Sequence, residues 1–126
     1  MRGFLASLAS CGKLHRVKRP VDARFEIASV LSLRKHGPAQ LFERVNNHAI
    51  PVVGNLLNSR ERIADALGIG RTGLHEFCLA ALRNPIPPTM ATEGPAQAVE
   101  HRTDIDLARL LPVPTWFERE ARRSRR

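Results

Sequence analysis

The sequence predicts an α/β or α+β fold, a small sheet of short strands covered by about four helices. Three features predict it. Apolar residues recur at helical spacing in four separate runs, short runs rich in branched or aromatic residues lie between them, and Gly or Pro punctuates the junctions. At 126 residues the chain fits one domain with a modest core.

Phe4, Leu5 and Leu8 share one face of a first helix, which Gly12 terminates. Leu8-Ala9-Ser10-Cys11 also matches the box at which bacterial lipoprotein signal peptides are cut. The apolar core before it is short, contains two serines and lacks a strongly charged start, so the amphipathic helix is preferred. Residues 14–18 read as extended and stop at Pro20, whose ring fixes the backbone and removes a donor. Asp22 then caps a second helix carrying Ile27, Val30, Leu31 and Arg34, which Gly37-Pro38 ends. Residues 40–45 and 50–55 read as two strands joined by Asn46-Asn47-His48, residues that tolerate the left-handed conformations of a turn.

Asn58 and Glu61 have the spacing of a capping box for a third helix, with Ile63, Ala64 and Leu67 as its stripe and Gly68 as its stop. The fourth helix has the clearest pattern. Leu74, Phe77, Cys78, Ala81 and Leu82 fall at i, i+3, i+4, i+7 and i+8, and Asn84-Pro85 stops the run, so Cys78 is expected in the core. Residues 1–84 therefore read as the α/β domain, 85–103 as a Pro-rich variable linker, 104–118 as a last short element running into Pro112-Val113-Pro114, and 119–126 as an Arg-rich tail.

The formal charge of +8 raises a nucleic-acid reading, and its distribution weakens it. Residues 119–126 hold five arginines and one acid, so half of the net charge is a tail. In the body, the densest basic cluster is Lys13, Arg16, Lys18 and Arg19, with no tyrosine anywhere to stack on bases. No apolar run approaches the roughly 20 residues of a membrane span. Cys11 and Cys78 are far apart and form neither a disulfide framework nor a zinc spacing, which makes a reducing cytoplasm the expected location.

Two motifs suggest chemistry and fail on context. Gly68-Ile69-Gly70-Arg71-Thr72-Gly73 spells the dinucleotide fingerprint, but a helix feeds into it where a strand is required. Its glycines are better read as a helix stop and a loop, with Thr72 capping the next helix. His75-Glu76 begins like a zinc-protease HExxH helix, and Leu79 stands where the second histidine belongs. His15, His36, His48 and His101 are scattered singly, and Asp104 and Asp106 suit a solvated turn better than one face of a strand. No catalytic, cofactor-binding or metal position is assigned within residues 1–126.

An ordered series of blocks runs along nearly the whole chain. It begins with Phe4-Leu5, Gly12-Lys13-Leu14, Arg16-Val17, Pro20-Val21-Asp22 and Glu26-Ile27. The most specific part is Gly37-Pro38-Ala39, Leu41-Phe42-Glu43 and Ile50-Pro51-Val52-Val53-Gly54-Asn55-Leu56, followed by Ser59-Arg60-Glu61-Arg62 and Ala66-Leu67-Gly68. Asp104-Ile105-Asp106-Leu107 and Leu111-Pro112-Val113-Pro114-Thr115 complete it. The succession resembles the amino-terminal domain of the UbiD family of decarboxylases, a resemblance that makes residues 104–118 the lead-in to a central barrel domain.

The resemblance implies a carboxy-lyase that decarboxylates an aromatic or α,β-unsaturated acid without net oxidation. It also implies prenylated FMN with a divalent metal and potassium, a flavin prenyltransferase that supplies the cofactor, and a homo-oligomer. In that family the cofactor, the metals and a Glu-Arg-Glu constellation belong to parts beyond the matched blocks, so no residue here inherits those roles. The match stops where Ala121-Arg122-Arg123-Ser124-Arg125-Arg126 begins. The expectation is a truncated or frame-shifted decarboxylase, inactive alone. The alternatives are a small basic nucleic-acid-binding protein, acting through the tail and residues 13–19, or one subunit of a split decarboxylase.

Overall fold

The computed structural model describes residues 1–100, 102–103 and 105–118. Strands β1 (Leu14–Val17), β2 (Ala39–Phe42) and β3 (Val52–Gly54) form one sheet in the order β1-β2-β3. β1 and β2 are parallel, Leu14 lying opposite Ala39 and Val17 opposite Phe42. Parallel neighbours need a long crossover, and helix α2 (Glu26–Leu33) supplies it. β2 and β3 are antiparallel, with Gln40 opposite Gly54 and Phe42 opposite Val52. The α/β expectation therefore holds, as a mixed three-stranded sheet with helices α1 (Arg2–Ser10), α2, α3 (Arg60–Leu67) and α4 (Leu74–Arg83), plus a single-turn α5 (Leu107–Leu110).

The core is the seam between α2 and the sheet. Ile27 and Leu31, one turn apart, meet Phe42, Val21 and Val45, with Val17, Ala23, Val30 and Val52 packed around them. Alternation along β2 sends Gln40 to the same face as Phe42 and Ala39 to the other, and all three are fully buried. The Gln40 amide donates to the Pro38 carbonyl at 2.9 Å. Leu8 of α1 and Ala64 of α3 are buried as well.

Gly54 faces α2 at close range. A Cβ added there would lie 2.4 and 2.5 Å from the two Leu31 δ-carbons and 3.0 Å from its γ-carbon. Because Leu31 is itself a core residue, its whole isobutyl group would have to move. Gly54→Ala is expected to destabilise the domain by about 1–3 kcal/mol. Thermal unfolding followed by circular dichroism would show a fall in Tm of roughly 4–8 °C per kcal/mol for a domain of this size.

Several local readings shift register. α2 starts at Glu26 rather than at a cap on Asp22: the Asp22 carboxylate accepts from the Arg24 N–H at 2.8 Å, while Glu26 accepts from the Asp22 N–H at 2.7 Å. This turn holds Phe25, the residue before the helix, at φ 66°, a conformation costly for an aromatic residue. Its ring lies under the Arg24 guanidinium, 5.3 Å from centroid to carbon.

The strands are shorter than predicted, because past Phe42 the chain turns to bridge Val45 with Val21 and His48. Asn46 takes the predicted left-handed backbone, at φ 47°. The N-cap of α3 is Ser59, not Asn58; its Oγ accepts from the Arg62 N–H at 3.3 Å. Gly68 closes the helix at φ 69° as expected. Thr72 does not cap α4, since it lies inside a 3-10 turn, Arg71–Gly73.

The larger correction concerns α4. The helix forms where its periodicity predicts, yet none of its residues is buried, and Cys78 is exposed rather than in the core. Periodicity reports that one face is apolar; it does not say what covers that face.

Past Leu111 the chain returns to the body. Pro112 is buried, Thr115 donates its N–H to the Ala23 carbonyl at 3.0 Å, and its carbonyl accepts from the Phe25 N–H at 3.1 Å. This short parallel bridge ties the lead-in to the strained turn before α2.

Candidate functional site

Three groups of residues stand out as candidate sites among the described residues. The first gathers at the carboxyl end of α2, where the last carbonyls of a helix lack partners within it. Asn55, at φ 53°, donates its amide to the Leu31 and Arg34 carbonyls at 2.9 and 3.1 Å. Asn58 donates to the Lys35 carbonyl. Arg62 completes the group: Nη1 donates to the Asn55 carbonyl at 2.7 Å and to Asn58 Oδ1 at 2.8 Å, and Nη2 to the Gly37 carbonyl at 2.7 Å. A cation at the negative end of the helix macrodipole is favourable, and the planar fork of arginine serves several acceptors at once. The donors of this group that form hydrogen bonds face the protein's own backbone and the Asn58 side chain, so the group is a clamp joining α2, β3 and α3.

The second is the turn before α2. Asp22 also accepts from the Asn46 amide at 3.1 Å, Asn46 Oδ1 accepts from the Ala23 N–H at 2.6 Å, and Arg19 pairs with Glu26 at 2.6 Å. The Arg24 N–H and then the Asn46 amide hold the Asp22 carboxyl below its ordinary range; the Asp22 N–H and then Arg19 do the same for Glu26. Both therefore stay ionised at neutral pH. A general acid or base works best with a pKa near the operating pH, which these two carboxylates are pushed away from.

The third is an open groove of about 390 Å³ between α1 and the end of α3, lined by Phe4, Leu8, Cys11, Lys13, Asp65 and Ile69 among others. Lys13 reaches Asp65 across it at 3.4 Å. The exposed Cys11 is among its lining residues, its Sγ 3.9 Å from the Ser10 hydroxyl.

The basic cluster of residues 13–19 is paired as well. Arg16 meets Glu43 at 2.9 Å, Lys13 and Arg19 have the carboxylates already named, and Arg44 donates to the Lys18 carbonyl at 2.9 and 2.7 Å. Three of the four cations thus face acids, which removes most of the uncompensated positive surface a phosphate backbone would need. The tail of residues 119–126 lies outside the described residues, as do His101 and Asp104. Asp106 accepts from the Arg109 N–H at 3.2 Å, in the first turn of α5.

The two tempting motifs stay apart from any site. Gly68 to Gly73 links α3 to the 3-10 turn with no strand feeding it, and His75 is exposed on α4. Among the described residues no group of three or more His, Cys, Asp or Glu is placed to hold a metal ion. None of their helices is long and apolar enough to cross a membrane. Among the described residues, Arg62 and the amides around it do not fit a flavin phosphate, because they are engaged with backbone carbonyls. The clamp itself was missed from sequence. Asn55 and Arg62 sit in the most specific blocks, but a polar residue in a motif does not disclose that its partner is a helix end.

Comparison with known proteins identifies the family of this domain. The family description "3-octaprenyl-4-hydroxybenzoate carboxy-lyase N-terminal domain" matches residues 5–82, which takes in most of α1, most of α4 and every element between them. An evolved dimeric form of the UbiD-class enzyme HmfF from Pelotomaculum thermopropionicum, in complex with prFMN, is similar in structure, with TM-score 0.81 and 39% identity over 90% of this chain. A second HmfF structure, in complex with FMN, gives 0.79 and 38% over 90%. Vanillic acid decarboxylase from Sedimentibacter hydroxybenzoicus, in open form, gives 0.71 and 27% over 93%. The chain spans only about a quarter of the length of these proteins, 27%, 26% and 28% respectively. With the family's domain matched over more than half its residues and the fold reproduced at close to 40% identity, this chain belongs to the UbiD family, as a carboxy-lyase N-terminal domain.

Proposed function

We propose that the chain serves as the scaffolding first domain of a UbiD-class decarboxylase. That enzyme releases carbon dioxide from an aromatic or α,β-unsaturated carboxylic acid without net oxidation. Prenylated FMN, a divalent metal and potassium are held outside residues 1–126, and the chain alone is inactive. A flavin prenyltransferase supplies the cofactor, the assembled enzyme is a homo-oligomer, and it works in the cytoplasm.

The observation that carries this reading is the direction of the polar side chains. Arg62, Asn55, Asn58, Asp22 and Glu26 occupy family-matched segments and bind the domain's own main chain. What they supply is a fixed geometry, and chemistry placed elsewhere in the enzyme can rely on such a support. The similarity to HmfF in complex with prFMN supports the identity of the cofactor for the whole enzyme.

Calorimetric titration of the purified 126-residue chain with prenylated FMN, with and without manganese and potassium, is the test. The expected result is no saturable uptake and no carbon dioxide from aromatic or acrylic acids. Saturable binding in the micromolar range would place a cofactor site within this chain and overturn the proposal.

A further inference from the structure

Helix α4 has the pattern of a buried helix and the surroundings of a surface one. Leu74, Phe77, Cys78, Ala81 and Leu82 line one face, yet Phe77 is 42% and Leu82 78% exposed, and Ile86 just past the helix end is exposed as well. Leaving such a contiguous patch in water costs about 25 cal/mol for each Å² that a partner would otherwise cover.

The patch belongs to the domain. The family match runs to residue 82, so α4 recurs as part of this module even though nothing within the module covers it. What does cover it must lie outside the matched residues, and in HmfF the matched part is only 27% of the chain.

A second copy of this domain is a poorer occupant. A helix of 10 residues is about 15 Å long, and pairing two of them falls well short of the roughly 800 Å² per partner that stable association needs. A surface in the same or an assembled enzyme, positioned by other contacts, avoids most of that association cost. A lipid surface is disfavoured because α4 carries Glu76 and lacks a basic polar face; its one arginine is Arg83.

We infer that the apolar face of α4, centred on Phe77, Cys78 and Leu82, is the seat for an apolar surface in the remaining part of a UbiD-class chain. The inference rests on the domain role proposed above.

Cys78 is a built-in reporter, since its thiol is exposed in the isolated chain. The experiment replaces the matching part of HmfF with this chain and measures maleimide labelling of Cys78 by peptide mass spectrometry, alongside binding of prenylated FMN. Labelling of Cys78 is expected to slow at least about tenfold relative to the isolated 126-residue chain, as for a site that reacts only after local opening. Unchanged labelling in a chimera that binds the flavin would sink the docking inference while leaving the domain role intact. Protected Cys78 in a chimera that cannot bind the flavin would support the docking and overturn the domain role.

A second measurement does not depend on the chimera folding. In the isolated chain, Phe77→Glu combined with Leu82→Glu should lower Tm by no more than roughly 4–8 °C, because each exposed substitution stays within roughly 0.5 kcal/mol. A larger fall would mean that the face is already packed within the domain and would overturn the inference. So would protection of Cys78 that grows with the concentration of the isolated chain, or with added phosphatidylglycerol vesicles, since either puts a different occupant on the face.

Discussion

Phe42→Ala is expected to remove about 3–5 kcal/mol of stability, the range for truncating a fully buried aromatic residue. Phe42 has no exposed surface and lies on the central strand, between Val17 on one neighbour and Val52 on the other. Above it stand Ile27 and Leu31 of α2, with Val21 and Val45 closing the ring. Every element of the core touches this side chain or its neighbours, so no single segment can collapse into the space left behind. A domain of this size has roughly 5–15 kcal/mol in total, so the loss is a large share of what holds it folded. Urea unfolding should show the midpoint falling with little change in slope. A loss below about 1 kcal/mol would mean that the core is not organised around this position.

Arg62→Ala is expected to cost about 3 kcal/mol, because it removes charge-assisted hydrogen bonds and leaves the Gly37 and Asn55 carbonyls without their donor. The corresponding fall in Tm is roughly 12–24 °C for a domain of this size. Arg62→Lys should recover only part of it. A single ammonium has no planar fork with which to reach Gly37, Asn55 and Asn58 together. The comparison of Ala with Lys in thermal denaturation separates geometry from charge: full rescue by Lys would show that a positive charge at the helix end suffices, contrary to the clamp described here.

The elements were legible where local chemistry decides them. Gly12 and Gly68 stop their helices with left-handed backbone, Asn46 turns the chain as its side chain allows, and the apolar spacing locates α1, α2, α3 and α4. Cap positions were less legible, because Asp22, Asn58 and Ser59 are all competent cap residues and only tertiary contacts choose among them. Asn58 is drawn away from capping by Lys35 and Arg62, which leaves Ser59 to do it.

The parallel pairing of β1 with β2 was not legible, since register and direction depend on where α2 lays its apolar face. Cys78 shows the same limit in another form. Its spacing correctly gave an apolar face, but whether such a face meets its own domain or another is written in the partner surface. At the level of function, the blocks from Gly37 to Arg62 identify the family, and they do so through residues that build the domain: Gly54, Asn55 and Arg62 have their roles in packing and helix closure.

The main-chain pairing of Thr115 with Ala23 and Phe25 ties two points distant in sequence into a ring, and the stretch from residue 85 to 100, exposed except at Gly94, is part of its circumference. The entropy of closing a flexible ring rises only with the logarithm of its length; doubling the whole ring would cost about 0.6 kcal/mol, and lengthening that stretch alone costs less. Insertions and deletions there are therefore cheap, and the exit direction of the polypeptide after Thr115 stays the same whatever its perimeter.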